Sequence, residues 1–521
     1  MQITASQTLA TATSATALIT VTPPVVPDSK TQTITAAESS PSTIVEISNT
    51  VAEEPASTYE KPVEIVQVRN TQDKTATALK ISQQLSTNLS SISAKKTGFS
   101  VQTFFSQVGA LSRETSDYKN EARVVRVAGS KANEKVAADF STGAGKPQET
   151  VTLQIRTKDG DTIDIKVQRS TADNGDSLAF SFKVTGKLSE EEQTALEKLA
   201  GKLGEVADDF FRTGTSHLHG LKEFDKANLQ DFHLEFSRPK ADTYETMSYD
   251  FSVDEASQTQ HLHAKDVDDY SVDITTNLQG LLGGATAASS NSMNAYLKII
   301  RDTLNQYQPT MQEHSNTLSA QFIIDSFTSM VTPAESQFAL PNPTLTEKAI
   351  DAFDSGLPDF NATINAPLLR KRANYLFPES MSLQLSQKTE IEKRDDGGVL
   401  VKQTNSFERH STEIEGIVGS DKGDLKTGNF IYKTVNEKQQ TSRILDLNKK
   451  NINNLITEHT SSTNNTEKTY NDFHLRDTKK DQHSERQLTQ LIDDVKKYKG
   501  LRQQAFDSLN YISLSNDKLF F

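Results

Sequence analysis

The chain of 521 residues has no cysteine and no tryptophan. Without cysteine there can be no disulfide, no thiolate metal ligand, no cysteine-held iron–sulfur cluster and no cysteine nucleophile. Apolar residues are scarce as well. Hydrophobic residues make up 35% of the chain and the mean hydropathy is -0.56, so part of it is expected to lie outside any packed core. No segment approaches the roughly 18 uninterrupted apolar residues of a membrane span, and no membrane insertion is expected. Met1 to Ser29 holds neither Lys nor Arg, so the basic start of a secretory signal peptide is missing. The formal net charge is -13, which argues against nucleic acid as a partner, since phosphate binding rests on Lys and Arg. The expected location is the cytoplasm, or the cell exterior by a leaderless route. The joint absence of Cys and Trp is a compositional association with exported bacterial proteins.

What is present reads most clearly between Val151 and Phe211. Val151, Leu153 and Ile155 alternate with polar residues, and so do Ile163, Ile165 and Val167 beyond the Lys158-Asp159-Gly160-Asp161 turn. Leu178, Phe180, Phe182 and Val184 form a third run. Period two predicts three half-buried strands. A helix follows from Ser189, with Glu192 placed for a capping box and a stripe of Leu196, Leu199, Leu203, Val206 and Phe210. Gly201 and Gly204 inside it imply close approach of another backbone, expected to be that of the preceding strands.

Around this core module (146–240) the expected organisation is a disordered tail at 1–62, rich in Thr, Ser and Pro, then a mostly helical segment and linker at 63–145. A mixed strand and helix region follows at 241–380, a polar β-rich region at 381–480, and an amphipathic helix with its tail at 481–521. Within these, Ser141 to Pro147 reads as a linker, Pro341 to Leu376 as irregular, and Asn451 to Lys468 as a loop. The stripe Leu488, Leu491, Ile492, Val495, Tyr498 and Leu501 predicts the terminal helix.

Two His-x-His pairs are the main chemical candidates: His217 with His219 and His261 with His263. In a strand, residues i and i+2 share a face, so such a pair can chelate zinc, and four converging imidazoles would close a tetrahedral site. His233 lies between the pairs, and Asp266, Asp268 and Asp269 follow the second. Solvated histidines in a polar chain are the competing explanation. The acidic turns at Asp159–Asp161 and Asp173–Asp176 have the Asp-Gly and Asn-Gly chemistry of tight hairpins rather than calcium-loop spacing. Gly143-Ala144-Gly145-Lys146 fails as a phosphate loop, because Phe140 replaces its first glycine and Pro147 the magnesium-holding hydroxyl. Ser93-Ala94-Lys95-Lys96 fits a bare S-x-x-K without its companion motifs. No pair of carboxylates stands out for acid–base work, and no cofactor is expected.

The hairpin on Asp159-Gly160, Phe180-Ser181-Phe182-x-Val184, and Ser189-Glu190-Glu191-Glu192 ahead of a helix ending Ala207-Asp208-Asp209-Phe210-Phe211 resemble a module of uncharacterised proteobacterial proteins. The resemblance covers about an eighth of the chain. It implies a bacterial source and brings no catalytic or binding residue with it. The resulting expectation is a multidomain α+β protein with central antiparallel strands covered by an amphipathic helix. It would be non-enzymatic and act through a protein partner or self-association, at the envelope or on an appendage. The alternatives are a cytoplasmic adaptor, or a metal-dependent hydrolase built on the two histidine pairs.

Overall fold

Alternation gives a strand one apolar and one polar side, and strands paired in register extend that polarity across a sheet. The computed structural model describes residues 43–47, 63–70, 75–93, 100–127, 145–172, 175–218, 221, 224–277, 287–307, 316–332, 355–367, 377–416, 427–448 and 451–490. The first elements are β1 (Thr43–Ile47), β2 (Val63–Asn70), α1 (Ala76–Ser93), α2 (Gln102–Phe105), α3 (Val108–Glu114) and β3 (Asp117–Val127). Next come β4 (Lys146–Thr157), β5 (Thr162–Ala172), β6 (Gly175–Thr185), α4 (Glu190–Thr213), β7 (Leu229–Lys240), β8 (Thr243–Asp254), β9 (Thr259–Lys265) and β10 (Ser271–Asn277). The chain continues through α5 (Ala287–Gln306), α6 (Asn316–Met330), β11 (Asp359–Asn365), β12 (Ser380–Lys393) and β13 (Val399–Glu415), and ends in β14 (Phe430–Asn448), β15 (Asn451–Asn471) and β16 (His474–Gln490).

The sixteen described strands join one antiparallel sheet in the order β1-β2-β3-β6-β5-β4-β7, then β8 to β16 in sequence. The expected boundaries at 146, 241 and 381 therefore fall inside a continuous sheet, and Ser42–Phe521 forms one compact unit. Register aligns the apolar positions. Leu153 stands between Ile165 and Leu234, Leu234 opposite Tyr249, Ala264 opposite Val272, and Ile364 opposite Leu383. Each of these is buried.

Helices cover that face. α1 packs on β2 and β3, α4 on β4 and β7, α6 on β9 and β10, and α5 on β12. The five-residue stripe of α4 is buried, as expected, and Phe210 stacks on Phe236 at 5.2 Å. Its capping box forms: the Glu192 N–H donates to Ser189 Oγ at 3.2 Å, and the Ser189 N–H donates to the Glu192 carboxylate at 2.8 Å. The helix stops at Gly214, whose φ of 84° suits glycine. Asp208 of α4 in turn accepts the Gln102 N–H at 3.3 Å and the Ser100 hydroxyl at 2.8 Å, capping α2. The close approach expected at the glycines is made by this short helix and not by the sheet. A Cβ on Gly204 would stand 2.8 Å from Gln102 Cα, whereas one on Gly201 would meet nothing within 4 Å.

Several local expectations change. Asn451 to Lys468 is strand, not loop, and the region from His483 to Gln490 belongs to β16 rather than to a helix. Polar residues on both sides of a strand leave no period to read, and pairing in a hairpin overrides the helical spacing of Leu488. The rest of that stripe lies outside the described residues. The segment 63–145 holds the unexpected β2 besides its helices, and the short strand expected at Val124, Val125 and Val127 is the end of the longer β3. β11 interrupts the irregular stretch after Pro341, Lys146 and Pro147 already belong to β4, and β1 falls within the expected tail, the remainder of which is outside the described residues. No described helix is long and apolar enough to cross a membrane.

Candidate functional site

From β4 to β14 the face of the sheet opposite the described helices carries an unbroken row of paired polar residues. On β9, Leu262 and Ala264 are buried towards the helices, so His261 and His263 project to the other side. The same alternation sends out His233 from β7 and Asp250 from β8. In register, Gln154 stands opposite His233, His233 opposite Asp250, Asp250 opposite His263, and His263 opposite Asp273 of β10. The row continues through Thr363, Gln384, Glu408 and Lys438 on the next four strands.

The histidines and carboxylates of this row contact one another. His233 Nδ1 lies 2.6 Å from Asp250 Oδ1. His261 Nε2 lies 3.2 Å from each Asp273 oxygen, and His263 Nδ1 lies 3.4 Å from Asp273 Oδ2. One row away, Arg156 Nε donates to Asp231 at 2.8 Å. Together Arg156, Asp231, His233, Asp250, Ser252 and His261 line a shallow hollow of about 490 Å³. Their side chains keep a quarter to a half of their exposure; Asp250 retains 48% and His261 42%. Ion pairs this wet are worth about 0–1 kcal/mol each. The hollow is too open to bury most of a small ligand. The arrangement offers alternating donors and acceptors on a flat surface, suited to many weak polar contacts with a large partner.

His217 of the first expected pair does not converge with His261 and His263. His217 follows the C-cap of α4 and meets the Asp325 carboxylate of α6. The adjacent Ser216 hydroxyl bonds Tyr249 OH at 2.7 Å inside the core. His217 is thus on the helix-covered side, and the sheet separates it from His261 and His263. His219 lies outside the described residues. Among the described residues no group of three or more His, Cys, Asp or Glu is placed to hold a metal ion.

The aspartates that follow the second pair turn elsewhere. Asp266 is buried in the β9–β10 turn, where it accepts the N–H groups of Asp268 at 3.0 Å and Tyr270 at 2.9 Å. Burial pushes its carboxyl up to about 6. Asp269 pairs with Lys265 at 2.6 Å. The carboxylate that serves both histidines is Asp273, which the sequence reading missed. A hairpin turn at 266–270 would have indicated it, because 263 then falls opposite 273. Asp159–Asp161 forms a hairpin turn, with Gly160 at φ 93°, and Asp161 accepts the Lys187 N–H at 3.1 Å. No protein-family model, no curated protein and no solved structure matches this chain.

Proposed function

We propose that the protein is a non-enzymatic structural or interaction protein whose working surfaces are the open polar face and the free edge of its long sheet. One observation carries this reading. The described helices keep to one face, and the other presents an unbroken polar row running from β4 to β14, with a shallow hollow in it. A polar sheet face that no described helix covers over so many strands favours a partner of comparable size over a small substrate. A protein partner or a second copy fits this surface, in the cytoplasm as an adaptor or outside the cell as an envelope or appendage component.

Photo-crosslinking groups placed at Gln154, His233 and Thr363 on the open face test the reading against groups at Leu79 and Lys202 on the helix side. Discrete adducts from the open face alone are expected. Adducts only from the helix side, or a turnover lost on His261→Ala, would replace it. Fractionation of the native cells distinguishes the adaptor from the exported component.

A further inference from the structure

β16 ends the sheet with a strand that none of the described residues covers. Every residue from His474 to Leu488 is exposed, including Leu475 at 52% and Leu488 at 59%. One edge is bonded to β15 along its length, and the other has no partner among the described residues. A free edge of 17 residues displays a row of outward N–H and C=O groups ready to template another strand.

The sequence along that edge complements itself. Two copies related by a two-fold axis normal to the sheet must have one residue facing its own copy, because hydrogen-bonded and non-bonded pairs alternate along the ladder. With Gln482 on the axis the two strands overlap over their full length. Lys479 then faces Glu485, Asp481 faces His483, and Arg476 lies across from Leu488, each twice. Moving the axis to Asp481 sets that residue against itself, Arg476 against Arg486, and Asp477 against Glu485. Moving it to His483 sets Asp481 against Glu485 and Lys480 against Arg486. An axis at Ser484 avoids like charges but leaves Lys479 and Lys480 without a carboxylate and residues 474–477 unpaired. Lys479 and Glu485 make no ion pair among the described residues, so both are available.

We propose that two copies of this chain join edge to edge through antiparallel β16 strands, with the axis at Gln482, into one sheet of double width. This deepens the reading above by making a second copy the partner at this edge.

The absence of cysteine makes the test direct. Opposed residues of antiparallel strands have Cα atoms about 4.5–5.5 Å apart, within disulfide range. Gln482→Cys should therefore give a covalent dimer on mild oxidation. Lys479→Cys should not, since its own copy would be about 20 Å away at strand spacing. Ultracentrifugation of the full chain should show a dimer that Lys479→Glu weakens about tenfold or more and that Lys479→Glu with Glu485→Lys restores. Circular dichroism of these exposed-site variants should match that of the parent. A parent chain that stays monomeric at high micromolar concentration would overturn the proposal, as would crosslinking at Ser484→Cys in place of Gln482→Cys, or open-ended assemblies through the β1 edge. Open-face adducts persisting in a strict monomer would sink this inference alone and leave the broader reading standing.

Discussion

The two halves of the sheet achieve strand pairing by different means. Along the helix-side row that runs from Tyr118 through Phe182, Leu234 and Val272 to Leu383, every position is apolar and buried. One strand further on, the row reads Arg409, then Glu437 and Thr463. The change falls where the described helices run out: α5 packs on β12, and its Tyr296 hydroxyl accepts from Asn405 of β13 at 2.6 Å. Strand length changes with it. β9, β10 and β11 have seven residues each, whereas β13 to β16 have 17, 19, 21 and 17. A short strand holds its place when burial of a large apolar side chain contributes about 1.5–3 kcal/mol. On β13 to β15 such side chains are sparser along the strand, although Val401, Leu445 and Leu455 are buried, and a longer ladder adds backbone hydrogen bonds. The second half adds polar pairs, with Arg409 Nη2 at 3.2 Å from the Glu437 carboxylate and Thr441 Oγ1 at 3.0 Å from His459 Nδ1. It also has a small aromatic cluster, in which Tyr470 stacks on Phe430 at 5.1 Å and meets Phe377 at 4.7 Å.

The largest effect that would sharpen this contrast is expected in the covered half. Phe210→Ala removes a fully buried ring stacked on Phe236 and should cost about 3–5 kcal/mol in urea unfolding.

Asp266 ranks next. Its carboxyl is pushed up to about 6 by burial, so the folded protein holds that proton more tightly than the unfolded chain does. The resulting stability is fully present below pH 4 and is lost as pH rises through 6, by about 3 kcal/mol in all. Asp266→Asn keeps an oxygen for the Asp268 and Tyr270 N–H groups, so it should flatten the melting-temperature profile between pH 4 and 7 and raise stability at pH 8. An unchanged profile would show that the carboxyl titrates normally.

A smaller effect separates the two glycines of α4. Gly204→Ala pushes a methyl group onto Gln102 of α2 and should destabilise by about 1–3 kcal/mol. Gly201→Ala has open space and should stabilise by up to about 1 kcal/mol through helix propensity. Thermal melts of the two variants should move in opposite directions.

The smallest effect is expected at the bare end. Leu488→Ala, at an exposed site on β16, should shift monomer unfolding by less than about 0.5 kcal/mol. A loss comparable to that of Phe210→Ala would show that β16 is packed against further structure and would break the comparison.

Legibility in the sequence follows the same division. The strands at Val151–Val184 and the Ser189 capping box were readable because burial on one side only leaves a period, and because a cap is a local motif. In α5 and α6 burial likewise falls at helical spacing, at Tyr296, Leu297, Ile300 and Leu304 and at Phe322, Ile323, Phe327 and Met330. β15 was not readable, since Asn, Thr, Ser and Glu occupy both of its sides. Of the site, His261 and His263 were visible as a pair, but the residue that joins them, Asp273, sits on another strand and only register reveals it.

By itself the sequence determined the absence of thiol chemistry, the amphipathic elements of the covered half and the turn chemistry of its hairpins. Each of these depends on residues close together in the chain. Tertiary structure alone decided that His217 and the His261–His263 pair lie on opposite sides of the sheet, that α2 and not a strand fills the notch at Gly204, and that Asn451 to Lys468 and His483 to Gln490 are strands. Those outcomes depend on hydrogen bonds and contacts between segments far apart in sequence, and a polar strand is defined only by the neighbour it pairs with.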